Sequence, residues 1–128
     1  MASSESSLVV TLNIEISPGK KQELLKTLDE LRPIIRKEVG CRQVTVSHPK
    51  LHTDMIIVNE KWTNARDALR HFRSEPFHVL TGATSVLARS LKMTINIELQ
   101  TASVDLKNLE SRKEIYLWAE KTLSETEI

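Results

Sequence analysis

Glycine, cysteine and net charge are all scarce in this chain, and each shortage removes a class of function. Only Gly19, Gly40 and Gly82 are glycines, too scattered to build the loop that cradles a nucleotide phosphate. Cys41 is the sole cysteine, so no intrachain disulfide can form, and a reducing cytoplasm is the expected setting. Eighteen basic and seventeen acidic side chains leave a formal charge of +1. Nothing in that balance makes a basic footprint, so nucleic acid is not an expected partner. No apolar run approaches the roughly 20 residues of a membrane span. The opening MASSESS lacks the charged-then-apolar layout of a secretory signal, and residues 1–7 read as a disordered tail. The four histidines His48, His52, His71 and His78 stand at no recognised metal spacing, and no cysteine pair assists them, so no metal site is expected.

What remains is ordinary and sufficient for a globular core: 40% hydrophobic and 27% charged residues over 128 positions. From Leu8 to Ile16 apolar residues alternate, with Val10, Leu12, Ile14 and Ile16 on one face of a strand. Ser17 as cap and Pro18 as first helical residue predict a helix start. Leu24, Leu28, Leu31 and Ile35 then share a stripe at helical spacing. Pro33 interrupts it, which predicts a kink or break, and Gly40 is the expected C-cap. A second strand is expected from Arg42 to His48. A third opens on the continuous apolar run Met55–Ile56–Ile57–Val58 and extends to Trp62; such a run reads as covered on both faces. Thr63 is the expected cap of a short helix with Ala65, Ala68, Leu69 and Phe72. Ser74 and Pro76 restart it, with Phe77, Leu80, Ala83 and Leu87 as the apolar stripe. A fourth strand, Met93 to Leu99, repeats the first: TINIEL at 94–99 against TLNIEI at 11–16. Asp105 is the expected cap of a last helix with Leu109, Tyr116, Ala119 and Leu123 on one side.

The order strand, helix, strand, strand, helix, strand predicts an α+β, ferredoxin-like βαββαβ fold over residues 8–100, with helices on one face of an antiparallel sheet. Residues 101–128 form a C-terminal helical extension. The two echo strands should lie side by side and antiparallel, pointing Asn13, Glu15, Asn96 and Glu98 away from the helices. The apolar run on the uncovered face then calls for a partner, and a second copy of the sheet, a homodimer, is the simplest one. The alternative cover is the last helix folded back with Tyr116 and Trp118.

The segments SPGKKQELLKTLDELRPIIRKEVGC, NEKW and ALRHFRSEPF resemble the antibiotic biosynthesis monooxygenase (ABM) family of dimeric α/β-barrel proteins. The resemblance covers roughly residues 8 to 99. It implies oxidation of a small phenolic or quinol compound by molecular oxygen, without metal, flavin or other cofactor, in a dry pocket between the sheet and the second helical segment. A haem-degrading branch of the fold uses an Asn, a Trp and a His at positions that are here Leu12, His71 and Thr81, so that chemistry is disfavoured. Val44 stands where the family often carries a tyrosine.

In this frame His71 is the candidate catalytic base toward a phenol, the competing role being a helix histidine with a structural hydrogen bond. Asn59, Trp62, Phe72 and Phe77 are the candidate substrate-binding residues. Trp62 stacks on a planar ligand or fills the core. Phe72 and Phe77 line a pocket or simply pack, and Asn59 binds a ligand oxygen or finishes a strand. Cys41 reads as a small buried hydrophobe. Two functions follow: a cofactor-independent monooxygenase for a small aromatic or quinol, or a non-catalytic dimeric module that binds a small molecule or partner. An enclosed cavity beneath Phe72 and Phe77 favours the first, a filled core the second.

Overall fold

The computed structural model describes residues 7–50, 53–97, 100–108 and 112–126. In chain order these form β1 (Leu8–Ile16), α1 (Lys21–Arg36), β2 (Cys41–Ser47), β3 (Met55–Trp62), α2 (Ala65–Phe72), α3 (Glu75–Leu87), β4 (Ala88–Ile97), β5 (Gln100–Asp105), a 3-10 turn (Leu106–Asn108) and α4 (Arg112–Thr126). The sheet order is β2-β3-β1-β4-β5, with every pairing antiparallel. This is the expected ferredoxin-like α+β arrangement with one additional strand at the β4 edge.

Strict alternation decides which side of the sheet meets the helices. Leu8, Val10, Leu12, Ile14 and Ile16 of β1 are buried, as are Ile56, Val58, Glu60 and Trp62 of β3 and Leu91, Met93, Ile95 and Ile97 of β4. Leu24, Leu28, Leu31 and Ile35 of α1 and Phe77, Leu80 and Leu87 of α3 close over them. Each such side chain contributes roughly 1.5–3 kcal/mol on burial. The echo strands are neighbours, with Thr11 opposite Thr94 and Val10 opposite Ile95. Asn13, Glu15 and Asn96 lie half-buried on the uncovered face; Glu98 lies outside the described residues.

Several boundaries differ from those the sequence predicts. α1 begins at Lys21 with Lys20 as its cap, not Ser17. Gly19 adopts φ 78°, and the Lys20 amide donates to the Ser17 carbonyl at 3.1 Å, so a tight turn occupies the residues expected to start the helix. The helix then runs through Pro33 and ends at Arg36. Pro33 is exposed within the last turn, and the helix forgoes there the bond that an amide would have made to the Asp29 carbonyl. Gly40, at φ 84°, shapes the turn into β2, since Lys37 is the C-cap. Asn64 rather than Thr63 caps α2, accepting from the Asp67 amide at 2.9 Å. Ser74 caps α3 as expected, its hydroxyl accepting from the Phe77 amide at 3.4 Å.

The C-terminal region departs most. Asp105 ends a fifth strand, and the last helix starts at Arg112. Ile115, Ala119 and Leu123 bury its inner face while Tyr116 and Trp118 are half-buried. Leu109 lies outside the described residues. α4 rests on α2, in the helical layer, and does not cover the opposite sheet face. That face carries half-buried Met55 and Ile57, so the apolar run of β3 is covered on one side only within this chain.

Candidate functional site

β3 delivers Glu60 and Trp62 to the buried side of the sheet, and α2 lays His71 and Phe72 over them. Each of the four is at most 1% exposed. A carboxylate in an otherwise apolar row is costly unless paired, and Glu60 is paired twice. The Trp62 indole Nε1 donates to its Oε1 at 3.1 Å. His71 Nε2 lies 3.1 and 3.2 Å from its two oxygens. The other imidazole nitrogen, Nδ1, lies 3.1 Å from both oxygens of Glu38, whose side chain is 19% exposed. The result is a continuous polar chain from the surface at Glu38 through His71 to the interior at Glu60.

Burial is the largest single influence on His71 and by itself lowers the pKa of its imidazole. The charge of Glu60, the hydrogen bonds to Glu38 and Glu60, and the charge of Glu38 together overturn it and raise the pKa from 6.5 to about 9. At neutral pH the ring is an imidazolium donating both N–H groups to carboxylates. It has no free nitrogen with which to accept a proton. Its ring also stacks on Trp62 (centroids 4.6 Å apart, planes at 28°) and meets Phe77 edge-on at 5.2 Å. Phe72 and Phe77 are 5.1 Å apart.

Four of the five expected site residues, Trp62, His71, Phe72 and Phe77, therefore form one buried cluster in which the two phenylalanine rings and the imidazole meet. Asn59 is not with them. It faces the uncovered side of the sheet, accepting a hydrogen bond from the Thr11 hydroxyl at 2.7 Å, in a polar row that runs Thr45, Asn59, Thr11, Thr94, Ser103 across all five strands. Glu60 and Glu38 were not among the expected residues. Glu60 was legible, because Ile56, Val58, Glu60 and Trp62 share a face and a charge in that series must have a buried partner. Glu38 sits in a polar turn and carries no such signal.

Two turns hold this cluster in register. Gly40 brings the α1–β2 turn against α2, where a Cβ would run into the Asp67 side chain. Its carbonyl accepts from the Thr63 amide at 2.8 Å and the Thr63 hydroxyl at 3.2 Å, tying the turn that carries Glu38 to the end of β3. Cys41, beside it, is buried, and burial pushes its thiol up to about 11, which suits packing and not nucleophilic attack.

Two hollows lie on the outer side of α2. A groove of 490 Å³ is lined by Phe72, Arg73, His78, Lys113, Tyr116 and Leu117, among others. Its neighbour of 460 Å³, sharing Arg73 and Tyr116, is lined by Arg66, Leu69 and Arg70. Arg73 lies over the Tyr116 ring, 5.1 Å from its centroid. Phe72 thus belongs to both the core cluster and the groove. Among the described residues no group of three His, Cys, Asp or Glu side chains is placed to hold a metal ion.

A ferredoxin-like α+β sheet, its helical layer closed over a buried carboxylate–imidazole–carboxylate chain, is the class of protein this geometry defines. Within that class the chain belongs to the antibiotic biosynthesis monooxygenase family, whose model matches residues 7–80. Solved structures agree on the fold. One is a protein of Bacteroides thetaiotaomicron described as a conserved protein of unknown function and possible oxidoreductase. It is 19% identical, with a TM-score of 0.68 over 73% of this chain and 98% of that one. A second, from the same organism, carries the provisional description antibiotic biosynthesis monooxygenase; it is 16% identical, with a TM-score of 0.61 over 80% and 89%. A third, from Nitrosomonas europaea and provisionally described in the same way, is 12% identical, with a TM-score of 0.67 over 73% and 99%. No curated protein matches the chain. No helix among the described residues is long and apolar enough to cross a membrane.

Proposed function

We propose that this chain is an ABM-type, cofactor-independent monooxygenase-like protein of the cytoplasm that takes a small aromatic or quinol compound into the groove between α2 and α4. The observation that carries this is Phe72, which joins the buried Trp62–His71–Phe77 cluster to a 490 Å³ hollow walled by Tyr116 and Leu117 and rimmed by Arg73 and Lys113. That volume and lining suit a small planar ligand, and the two cations favour the phenolate over the phenol. An electron-rich phenolate can itself reduce oxygen: a new C–O bond forms at the ring carbon, the O–O bond breaks, and the second oxygen leaves as water with two hydrogens from the substrate. His71 serves here as a fixed cation that holds Trp62 and Phe72 in place. The histidine lining the groove is His78.

Asn59 and the polar row around it have a separate place in this reading. They line the contact between two copies joined through their uncovered sheet faces.

Oxygen-electrode assays with a panel of quinols and anthrone-like phenols test the chemistry. Substrate-dependent oxygen uptake is expected, reduced in Phe72→Ala and retained in part in His71→Ala if that variant folds. The ring contacts of Phe72 and Phe77 with His71 inside the core favour a second reading, a non-catalytic small-molecule-binding module of the same fold. Saturable binding without uptake across the whole panel establishes that reading and overturns the first.

A further inference from the structure

We propose that the groove between α2 and α4 recognises an anionic aromatic compound, an aryl carboxylate or sulfonate, whose charged end lies among Arg66, Arg70 and Arg73. The proposal rests on the placement of the ligand in this groove and adds the chemical class that the groove selects.

Arg66, Arg70 and Arg73 follow one another at helical spacing, so all three project along one outward stripe. Like charges on successive turns destabilise an isolated helix, and among the described residues only Arg70 has a carboxylate partner, Asp67 at 3.2 Å. The stripe is not merely solvated surface, because α4 crosses beside it and makes it one wall of a hollow of 460 Å³. Arg73 is held in place by the Tyr116 ring beneath it. A guanidinium seated over a ring makes no hydrogen bond to it, so its donors remain for another partner, and its fork matches the two oxygens of a carboxylate.

The two hollows adjoin, with Arg73 and Tyr116 in the lining of both. A ligand placed along them meets arginines at one end and the apolar wall of Phe72, Tyr116 and Leu117 at the other. Among the described residues Glu120 is the one carboxylate lining either hollow, and it lines the hollow on the Phe72 side, not the one with Arg66 and Arg70. A neutral quinol would leave the arginine end unused. An aromatic ring bearing an ionised acid uses both.

Isothermal titration of the full chain with two redox-inert probes, 2-naphthoate and 2-naphthol, separates the outcomes at neutral pH, where only the first is charged. Naphthoate is expected to bind at least about tenfold tighter, the equivalent of one charge-assisted hydrogen bond pair. That preference is expected to fall several-fold in Arg66→Gln and in Arg73→Gln, and to shrink as salt screens the exposed guanidinium groups. Arg66 makes no hydrogen bond or ion pair among the described residues, so Arg66→Gln guards against misfolding of the Arg73 variant, while Arg32→Gln, on the solvent face of α1, is expected to leave the preference intact. Equal binding of the two probes, or a preference untouched by both groove variants, overturns the anion inference and leaves the groove as a neutral aromatic site. Binding of neither probe overturns the groove itself.

Discussion

His71 behaves as a buried cation clamped between two carboxylates, and its protonation state is tied to folding. Its pKa is about 9 in the folded chain and 6.5 in the unfolded one. The stability it contributes is therefore complete below about pH 6.5 and is lost as pH rises through about 9. For a shift of this size the change is on the order of 3 kcal/mol. Urea denaturation at a series of pH values between these limits is expected to show a falling midpoint with rising pH, and a flat or rising profile would refute the clamped imidazolium. Glu60→Gln removes the charge that raises the His71 pKa most while keeping a similar shape. An NMR titration of that variant is expected to move the His71 pKa down from about 9, whereas an unchanged value would mean that Glu60 is not its electrostatic partner. The sequence pointed to His71 as the base of a reaction. Nothing in its own position revealed that both nitrogens are occupied, because one partner, Glu38, is 33 residues away in a turn with no periodic pattern.

At the level of elements, strong periodicity was legible and weak periodicity was not. β1 and β4 declare themselves through alternating apolar residues and β3 through its continuous run Met55–Val58, and their pairing follows from the ferredoxin-like topology. β5 carries only Ala102 and Val104 on its inner side, and no Asn-Gly or Asp-Gly pair precedes it to announce a hairpin. Its place is set by long-range pairing with β4, reinforced by hydrogen bonds between Thr94 and Ser103 and between Thr101 and Asn96. Pro33 shows the opposite failure, in which local propensity predicts a break and tertiary packing overrides it. Leu31 and Ile35 on either side are buried against the sheet, and their burial outweighs the proline penalty of about 3 kcal/mol in a helix interior. Pro33→Ala should therefore release part of that penalty. A stabilisation on the order of 1–2 kcal/mol is expected in chemical denaturation, and a loss of stability would mean that the proline contributes more by restricting the unfolded chain than it costs in α1.

For the whole molecule the unresolved demand is the second face of the sheet. Val9, Met55 and Ile57 lie there half-buried, separated by the polar row of Thr45, Asn59, Thr11, Thr94 and Ser103. Asn13 and Glu15 stand opposite Ile57 and Met55 on the neighbouring strand. A solvated antiparallel face would not need isoleucine and methionine at its centre. A face buried against its own copy would, and a twofold axis near β1 and β3 would bring each polar row against another able to hydrogen-bond to it. α4 occupies the helical layer, so the helix leaves this face open to a partner. Light scattering at micromolar concentration is expected to return twice the chain mass of 14.6 kDa. Ile57→Lys places a charge at the centre of a contact of roughly 1,200–2,000 Å², where an unpaired ion costs several kcal/mol, and is expected to yield a folded monomer. A monomeric parent chain would remove the interface, an Ile57→Lys variant that stays dimeric would move it away from this sheet face, and either result would return Asn59 and its row to solvent.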